Sequence, residues 1–341
     1  MEIIKKTLSG LQIGEALIHQ NMTVMPLVCN HVGIADYLTL DEALFEKCVR
    51  IKELSEEGSV PQLLLVNDGS KPVLLLDGEE LIGAKQNRLV NLTILAPARK
   101  SITIPVSCVE SGRWHHITEH FNTSDAVSFA DMRARKADQV SASLRRSNSR
   151  HADQADVWSN ISDKAFCMRA DSPTDAMSEI FRRHKGLLSD FVEAFSVVEN
   201  QLGAIFAINN NIMGFDFFDA ASTLEKIFPK LIKSYAIDAI EKQNYSSTYK
   251  KSVNKITIEE AEEFLQRVAD SEFKSYPAVG LGEDVRFSVK ELCGGGLIND
   301  ERVVHLCAFK INSSDNRGRR GRSDEDADIL DIPSSLRRWA G

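Results

Sequence analysis

Apolar and polar positions alternate in short runs through the first third of the chain and fall into helical spacing through much of the rest. Weak alternation over residues 11–29, interrupted by Pro26, predicts one or two short strands. Thr39 followed three residues later by Glu42 has the form of a capping box, so a brief helix is expected to start there and end near Cys48. Apolar runs at 49–54, 62–66 and 73–76, separated by EEGS and NDGSK, predict further strands. Between Lys71 and Trp114 the two kinds of position are most sharply divided. The runs 73–76, 92–95 and 102–106 flank a dense polar block of Asp77, Glu79, Glu80, Lys85, Gln86, Asn87, Arg88 and Asn91. Asp77-Gly78 favours a turn, and Pro97 and Pro105 favour edges or turns. The expectation is a β meander presenting one polar loop, residues 77–91.

Beyond Trp114 the period changes. Residues 129–150 are rich in Ala, Arg, Lys, Gln and Ser with few large apolar side chains, which predicts a solvated helix. Its cations Arg133, Arg135, Lys136, Arg145, Arg146 and Arg150 then face water or meet phosphates. Helices are expected at 156–167 and, after the Ser172-Pro173 start signal, at 174–183, with Trp158 packed between them. Residues 201–208 and 212–218 read as a hairpin closed by Asn209-Asn210-Asn211, a residue type that tolerates positive φ. A helical stripe at 224–240 persists despite Pro229, a second amphipathic helix covers 258–268, and strands follow at 285–289 and 303–309. The fold class is α+β: a β-rich domain over 1–124, a helical connection over 125–195, an α+β half over 196–311, and a disordered tail over 312–341.

Composition narrows the function classes. The chain has 341 residues, 43% hydrophobic and 26% charged, so it can bury one large or two modest cores. A formal charge of −8 argues against a nucleic-acid binder acting through global charge. No apolar run reaches the roughly 18 residues needed to cross a bilayer, and MEIIKKTLSG lacks a signal-peptide core, so a cytoplasmic location is expected. The six cysteines are dispersed without a CxxC pair, which suggests neither zinc binding nor a disulfide framework.

The polar block carries the candidate chemistry. Arginine gives a forked grip on phosphate and a carboxylate accepts from ribose hydroxyls, so this mixture suits a polar ligand; a surface turn with internal ion pairs is the competing reading. Cys108, Glu110, Arg113 and Trp114 follow a strand, but the spacing is not a Cys-x5-Arg phosphate loop, and Cys108 reads as buried. His116 and His120 would share a helical face, yet HHITEH is not HExxH, and no metal is expected. Cys293-Gly294-Gly295-Gly296 lacks the Lys-Ser or Lys-Thr of a P-loop and reads as a mobile turn. His305, inside VVHLCAF, reads as a satisfied core histidine. No cofactor is implied.

The motifs LLLDGEELIGAKQNR, IPVSCVESGRW, SPTDAM, ENQLGAIFAINNNIMGFDFF, PKLIKSYAIDA and VVHLCAF together resemble the ARG and rhodanese-phosphatase-superfamily-associated protein domain, over about residues 11–309. The Asn200-Gln201 step departs from the family pattern, and 137–155 resembles an insertion. The family takes its name from gene neighbourhoods with ADP-ribosylglycohydrolases and phosphatase-like proteins. The resemblance therefore implies an ADP-ribose-like or NAD-derived ligand. It would be held by Lys85, Gln86, Asn87, Arg88, Asn91, Glu110 and Arg113 with Trp114 stacking on the base, and Glu79 or Glu80 would be the acid or base of any reaction.

The tail has a second resemblance. NSSDNRGRRGRSDEDAD is too poor in apolar residues to order itself. The ILDIPSSLRRWAG that follows resembles the C-terminal peptide of the bacterial tubulin-like division protein FtsZ. Asp331, Ile332, Pro333, Leu336, Arg337 and Arg338 match, with Ser335 in place of an aromatic anchor. This implies docking to division proteins that bind that peptide.

Overall fold

The computed structural model describes residues 2–30, 33–56, 58–244 and 255–311. The tail and its candidate docking residues Asp331, Ile332, Pro333, Leu336, Arg337 and Arg338 lie outside the described residues.

The chain opens with α1 (Glu2–Ser9), β1 (Gln12–Ile13), β2 (Leu17–His19), β3 (Met22–Val28), β4 (Leu38–Thr39), α2 (Leu40–Phe45), β5 (Val49–Glu53) and β6 (Gln62–Asn67). Then come β7 (Val73–Leu75), β8 (Glu79–Gly83), β9 (Arg88–Val90), β10 (Ile94–Ala96), β11 (Lys100–Cys108) and β12 (Phe121–Val127). Four helices follow: α3 (Ala130–Ser147), α4 (Gln154–Cys167), α5 (Met177–Arg183) and α6 (Lys185–Ala194). The chain continues with β13 (Gln201–Ile208), β14 (Asn211–Phe218), α7 (Ala221–Asn244), α8 (Ile258–Ala269), β15 (Lys274–Pro277), β16 (Glu283–Val289), β17 (Leu292–Asn299) and β18 (Arg302–Lys310). Helices and strands are mixed along the chain and the ladders are antiparallel apart from β4 with β7, so the fold is α+β. None of these helices is long and apolar enough to cross a membrane.

Local signals start the elements where the sequence puts them. Thr39 and Glu42 cap α2 reciprocally: the Thr39 hydroxyl accepts from the Glu42 N–H, and the Glu42 carboxylate accepts from the Thr39 N–H at 2.9 Å. Asn209 and Asn210 both take positive φ, 50° and 60°, which is what a tight turn between β13 and β14 requires.

Besides a small three-stranded sheet, β10-β7-β4, two larger β assemblies result. Strands β11, β6, β5, β12, β8 and β9 close a barrel, filled by Ile51, Leu63, Leu65, Leu81, Val90, Ile104 and Phe121. The second is a nine-stranded sheet in the order β1-β3-β13-β14-β18-β17-β16-β15, with β2 beside β3. Strand β3 thus lies within residues 1–124 yet pairs with β13 of the later half. Alternation along the sheet supplies two apolar faces. One carries Leu27, Phe215 and Leu306 and buries the stripes of α1 and α8, including Ile4, Leu8, Phe264 and Val268. The other carries Phe206, Phe218 and Phe309 under α3 and α7. Phe206 stacks on Tyr235 of α7 with ring centroids 4.0 Å apart. Full burial of such side chains contributes about 1.5–3 kcal/mol each.

Three expectations are corrected. The polar block at 77–91 is not a loop: it forms the strands β8 and β9, joined through residues 84–87 inside the barrel wall. Helix α3 is not solvated either. Arg133 and Lys136 are among the most buried side chains in the protein, because the surfaces facing them present Asp216 and Asp77, so charge pairing supplements a thin apolar stripe of Ala130, Met132, Ala137, Val140 and Leu144. Cys293 to Gly296 is no mobile turn but the body of β17. A Cβ at Gly294 would stand 2.2 Å from the Cys307 carbonyl oxygen and 2.6 Å from the Phe287 ring, so the glycines answer to close packing.

Candidate functional site

Register divides the polar block between the two faces of the barrel wall. Arg88 lies opposite Leu81 and Cys108, whereas Glu80 lies opposite Leu89. Since Leu81 fills the barrel, Arg88 projects from the same face at the barrel's end. There its Nη1 donates to Gln86 Oε1 at 2.8 Å, and the Cys108 thiol donates to the same oxygen at 3.2 Å. Its Nη2 faces Glu53 Oε1 at 3.8 Å, too long for a hydrogen bond. Arg88 Nε and Nη2 and both Glu53 carboxylate oxygens have no hydrogen-bond partner among the described residues. Burial lowers the Arg88 pKa from its ordinary value, with Cys108 and Glu53 opposing.

Trp114 covers this pair. Its ring lies 5.6 Å from the Arg88 guanidinium carbon and 5.3 Å from Lys85 Nζ, and it is 41% exposed while Arg88 is fully buried. Gly58 backs the cluster with φ +83°; a Cβ there would come within 3.3 Å of both Lys85 and the indole.

The neighbouring group is satisfied internally. Arg113 Nη2 donates to Glu110 Oε2 at 2.6 Å and Asn87 Oδ1 at 3.0 Å, and Nη1 donates to the Ala84 carbonyl at 2.6 Å. Glu110 also accepts from the Asn87 N–H at 3.1 Å and the Thr174 hydroxyl at 2.8 Å. Burial raises the Glu110 pKa, but Arg113, Thr174 and Asn87 together hold it below the ordinary carboxylate value. Gln86 donates to the Glu110 carbonyl at 3.1 Å. Glu110, Arg113, Asn87 and Gln86 therefore brace the turn 84–87 on which Lys85 and Arg88 are mounted. Asn91 lies elsewhere, bonded to the Arg150 carbonyl at 3.0 Å and the Ser107 hydroxyl at 2.8 Å.

Glu79 and Glu80, adjacent on a strand, point to opposite sides. Glu79 accepts from Lys230 Nζ at 2.8 Å and from the Leu76 N–H at 3.1 Å. Both oxygens of Glu80 are buried without a partner in hydrogen-bond geometry. Burial pushes the Glu80 pKa up to about 8, with Glu110 adding to the rise and Ser124, Ser178 and Asn87 opposing it. Burial therefore favours the neutral, protonated form of Glu80.

Two features escaped the sequence reading. Glu53 ends β5, whose inward positions are Val49, Ile51 and Glu53, so a charge on the apolar side of an alternating strand was the available signal. The larger omission is a buried ionic network between barrel and sheet. Arg133 grips Asp216 with both Nη atoms, at 3.0 and 2.6 Å; Lys136 pairs with Asp77; and His305 joins Asp216 at 3.3 Å to Thr93 at 2.9 Å. His305 is thus a satisfied core histidine, its pKa lowered by burial against the pull of Asp216.

No helix forms at 115–120, so His116 and His120 do not share a helical face. Among the described residues, two groups bring three metal-type ligand atoms together: Asp216, His305 and Cys307, and Asp131, Asp238 and Glu241. Each already holds a cation of the protein, Arg133 in the first and Lys164 in the second.

Residues 10–309 match the family model of the ARG and Rhodanese-Phosphatase-superfamily-associated Protein domain. Neither a curated protein nor a solved structure matches the chain.

Proposed function

The chain belongs to the ARG and rhodanese-phosphatase-superfamily-associated protein domain family, and from that premise we propose that it binds an ADP-ribose or NAD-derived nucleotide at the barrel end beneath Trp114. The observation that carries the reading is the Arg88–Glu53 pair. A buried guanidinium and a buried carboxylate, 3.8 Å apart with N–H groups and oxygens unmatched, cost free energy unless something else completes them. A phosphorylated sugar does so: its phosphate accepts from Arg88 Nε and Nη2, and its hydroxyls donate to Glu53. Trp114 supplies an aromatic face for the base and Lys85 a second cation.

Arg88 is fully buried, so entry requires Trp114 and Lys85 to swing outward. In this reading Gln86, Asn87, Glu110 and Arg113 hold the turn in shape without gripping the ligand. Glu79 is matched by Lys230, and Glu80 lies on the face of β8 opposite to Arg88's partner Leu81. The geometry supports binding, and the reading needs no turnover. Calorimetric titration with ADP-ribose, repeated on Trp114→Ala, is the test.

A second reading rests on the tail. The ordered match of Asp331, Ile332, Pro333, Leu336, Arg337 and Arg338 to the division-protein peptide favours a tether that brings the folded body to cell-division partners.

A further inference from the structure

The start of α3, the β13–β14 turn, the end of α7 and the end of β18 line a cavity of about 480 Å³ that does not include Trp114, within the range of small-molecule sites. Three cations line it from three different elements: Arg135, Lys242 and Lys310. Two carboxylates also line it: Glu291 lies 3.4 Å from Arg267, and Asp131 lies 3.8 Å from Lys164, which is already bonded to Asp238 and Glu241. Lys242 is differently placed. Its half-buried ammonium meets the Met213 sulfur at 3.4 Å, and among the described residues no carboxylate lies within 4 Å of it. A thioether is a weak acceptor, and Asp238 acts on this cation only through space, so no carboxylate of the cavity lining pairs with it directly. Ile212 and Met213 add an apolar surface beside it.

We infer that this cavity is a second binding site, for a small organic phosphate. The phosphate oxygens take Lys242 and Lys310 as donors, and the carbon skeleton lies on Ile212 and Met213. The same chemistry, an anion presented to these lysines, is available within the chain from the acidic block Asp324, Glu325, Asp326 and Asp328, so the test separates the two sources.

Ribose 5-phosphate, which the Arg88–Glu53 site would also take, is titrated into the full-length protein by calorimetry. The comparison set is wild type, Lys242→Met with Lys310→Met, Arg88→Met to remove that first site, and a variant with Asp324, Glu325, Asp326 and Asp328 changed to their amides. The inference expects saturable binding to wild type that persists in Arg88→Met and is equal in the amide variant. It expects affinity about ten-fold or more weaker in the double lysine variant, the loss of two charge-assisted contacts. It is overturned by binding that Arg88→Met abolishes and the double lysine variant keeps unchanged, or by no saturable binding to wild type. Binding that appears only after the four acids are neutralised also overturns it, and would identify the tail as the occupant. Circular dichroism of the double lysine variant must match wild type, and since both substitutions keep the aliphatic stems at the cavity rim, folding is expected to be intact.

Discussion

Arg133 and Asp216 form a two-pronged ion pair, Nη2 to Oδ1 at 2.6 Å and Nη1 to Oδ2 at 3.0 Å, with both side chains fully withdrawn from water. Helix α3 is fastened through it to the centre of the large sheet, while Arg133 Nε and Lys136 reach the barrel at Asp77. The pair adds to the packing of Met132, Val140 and Leu144 in keeping buried a helix that has few large apolar residues. Burial alone would raise the Asp216 pKa, but Arg133 and His305 hold it well below the usual carboxylate range.

Removing one partner strands the other. Arg133→Met is expected to cost about 3–5 kcal/mol, because Asp216 is left as a buried, uncompensated charge. Adding Asp216→Asn to that variant should recover part of the loss. Urea denaturation of both variants decides it; a loss below about 1 kcal/mol for Arg133→Met would mean that the network is not a stabilising clasp.

Glu80 gives a pH prediction. Its pKa rises from 4.5 to about 8 on folding, so the folded state holds a proton that the unfolded chain gives up. Stability from this group is fully present below about pH 4.5 and is lost as pH climbs through about 8, at up to about 1.4 kcal/mol per unit. Glu80→Gln keeps the shape and cannot ionise. The stability difference between variant and wild type should therefore move in the variant's favour between pH 5 and pH 9, by a few kcal/mol in order of magnitude. Denaturation curves at the two pH values check it, and a pH-independent difference would remove the neutral-acid assignment.

The tail reading predicts a separation of properties. Deleting residues 330–341 should abolish capture by proteins that bind the FtsZ C-terminal peptide and leave ADP-ribose affinity unchanged. Capture by the shortened protein at the full-length level would remove the tether.

Local signals were legible and remote ones were not. Thr39 with Glu42 and Asn209 with Asn210 act within a few residues, and both appear where their chemistry demands. The sequence alone places Arg133 and Lys136 on a solvated helix because their partners lie 83 and 59 residues away, and no short window along the chain contains both ends. The glycines of β17 misled for a similar reason: what excludes a side chain there is the carbonyl of Cys307 on the neighbouring strand. At the candidate site Arg88, Lys85 and Trp114 were named from the sequence and do converge. Glu53 is hidden in the sequence because Val49 and Ile51 dominate the pattern of its strand, and the charge at its third inward position has its partner 35 residues away, at Arg88.

The central claim is that the unmatched Arg88–Glu53 pair under Trp114 takes a nucleotide. Calorimetric titration of ADP-ribose into wild type and Trp114→Ala tests it most directly. The account predicts saturable binding to wild type and a loss of about 1–3 kcal/mol in Trp114→Ala, the value of one aromatic stacking contact on a base. No saturable binding at millimolar ADP-ribose, or identical affinity in the two proteins, would contradict it.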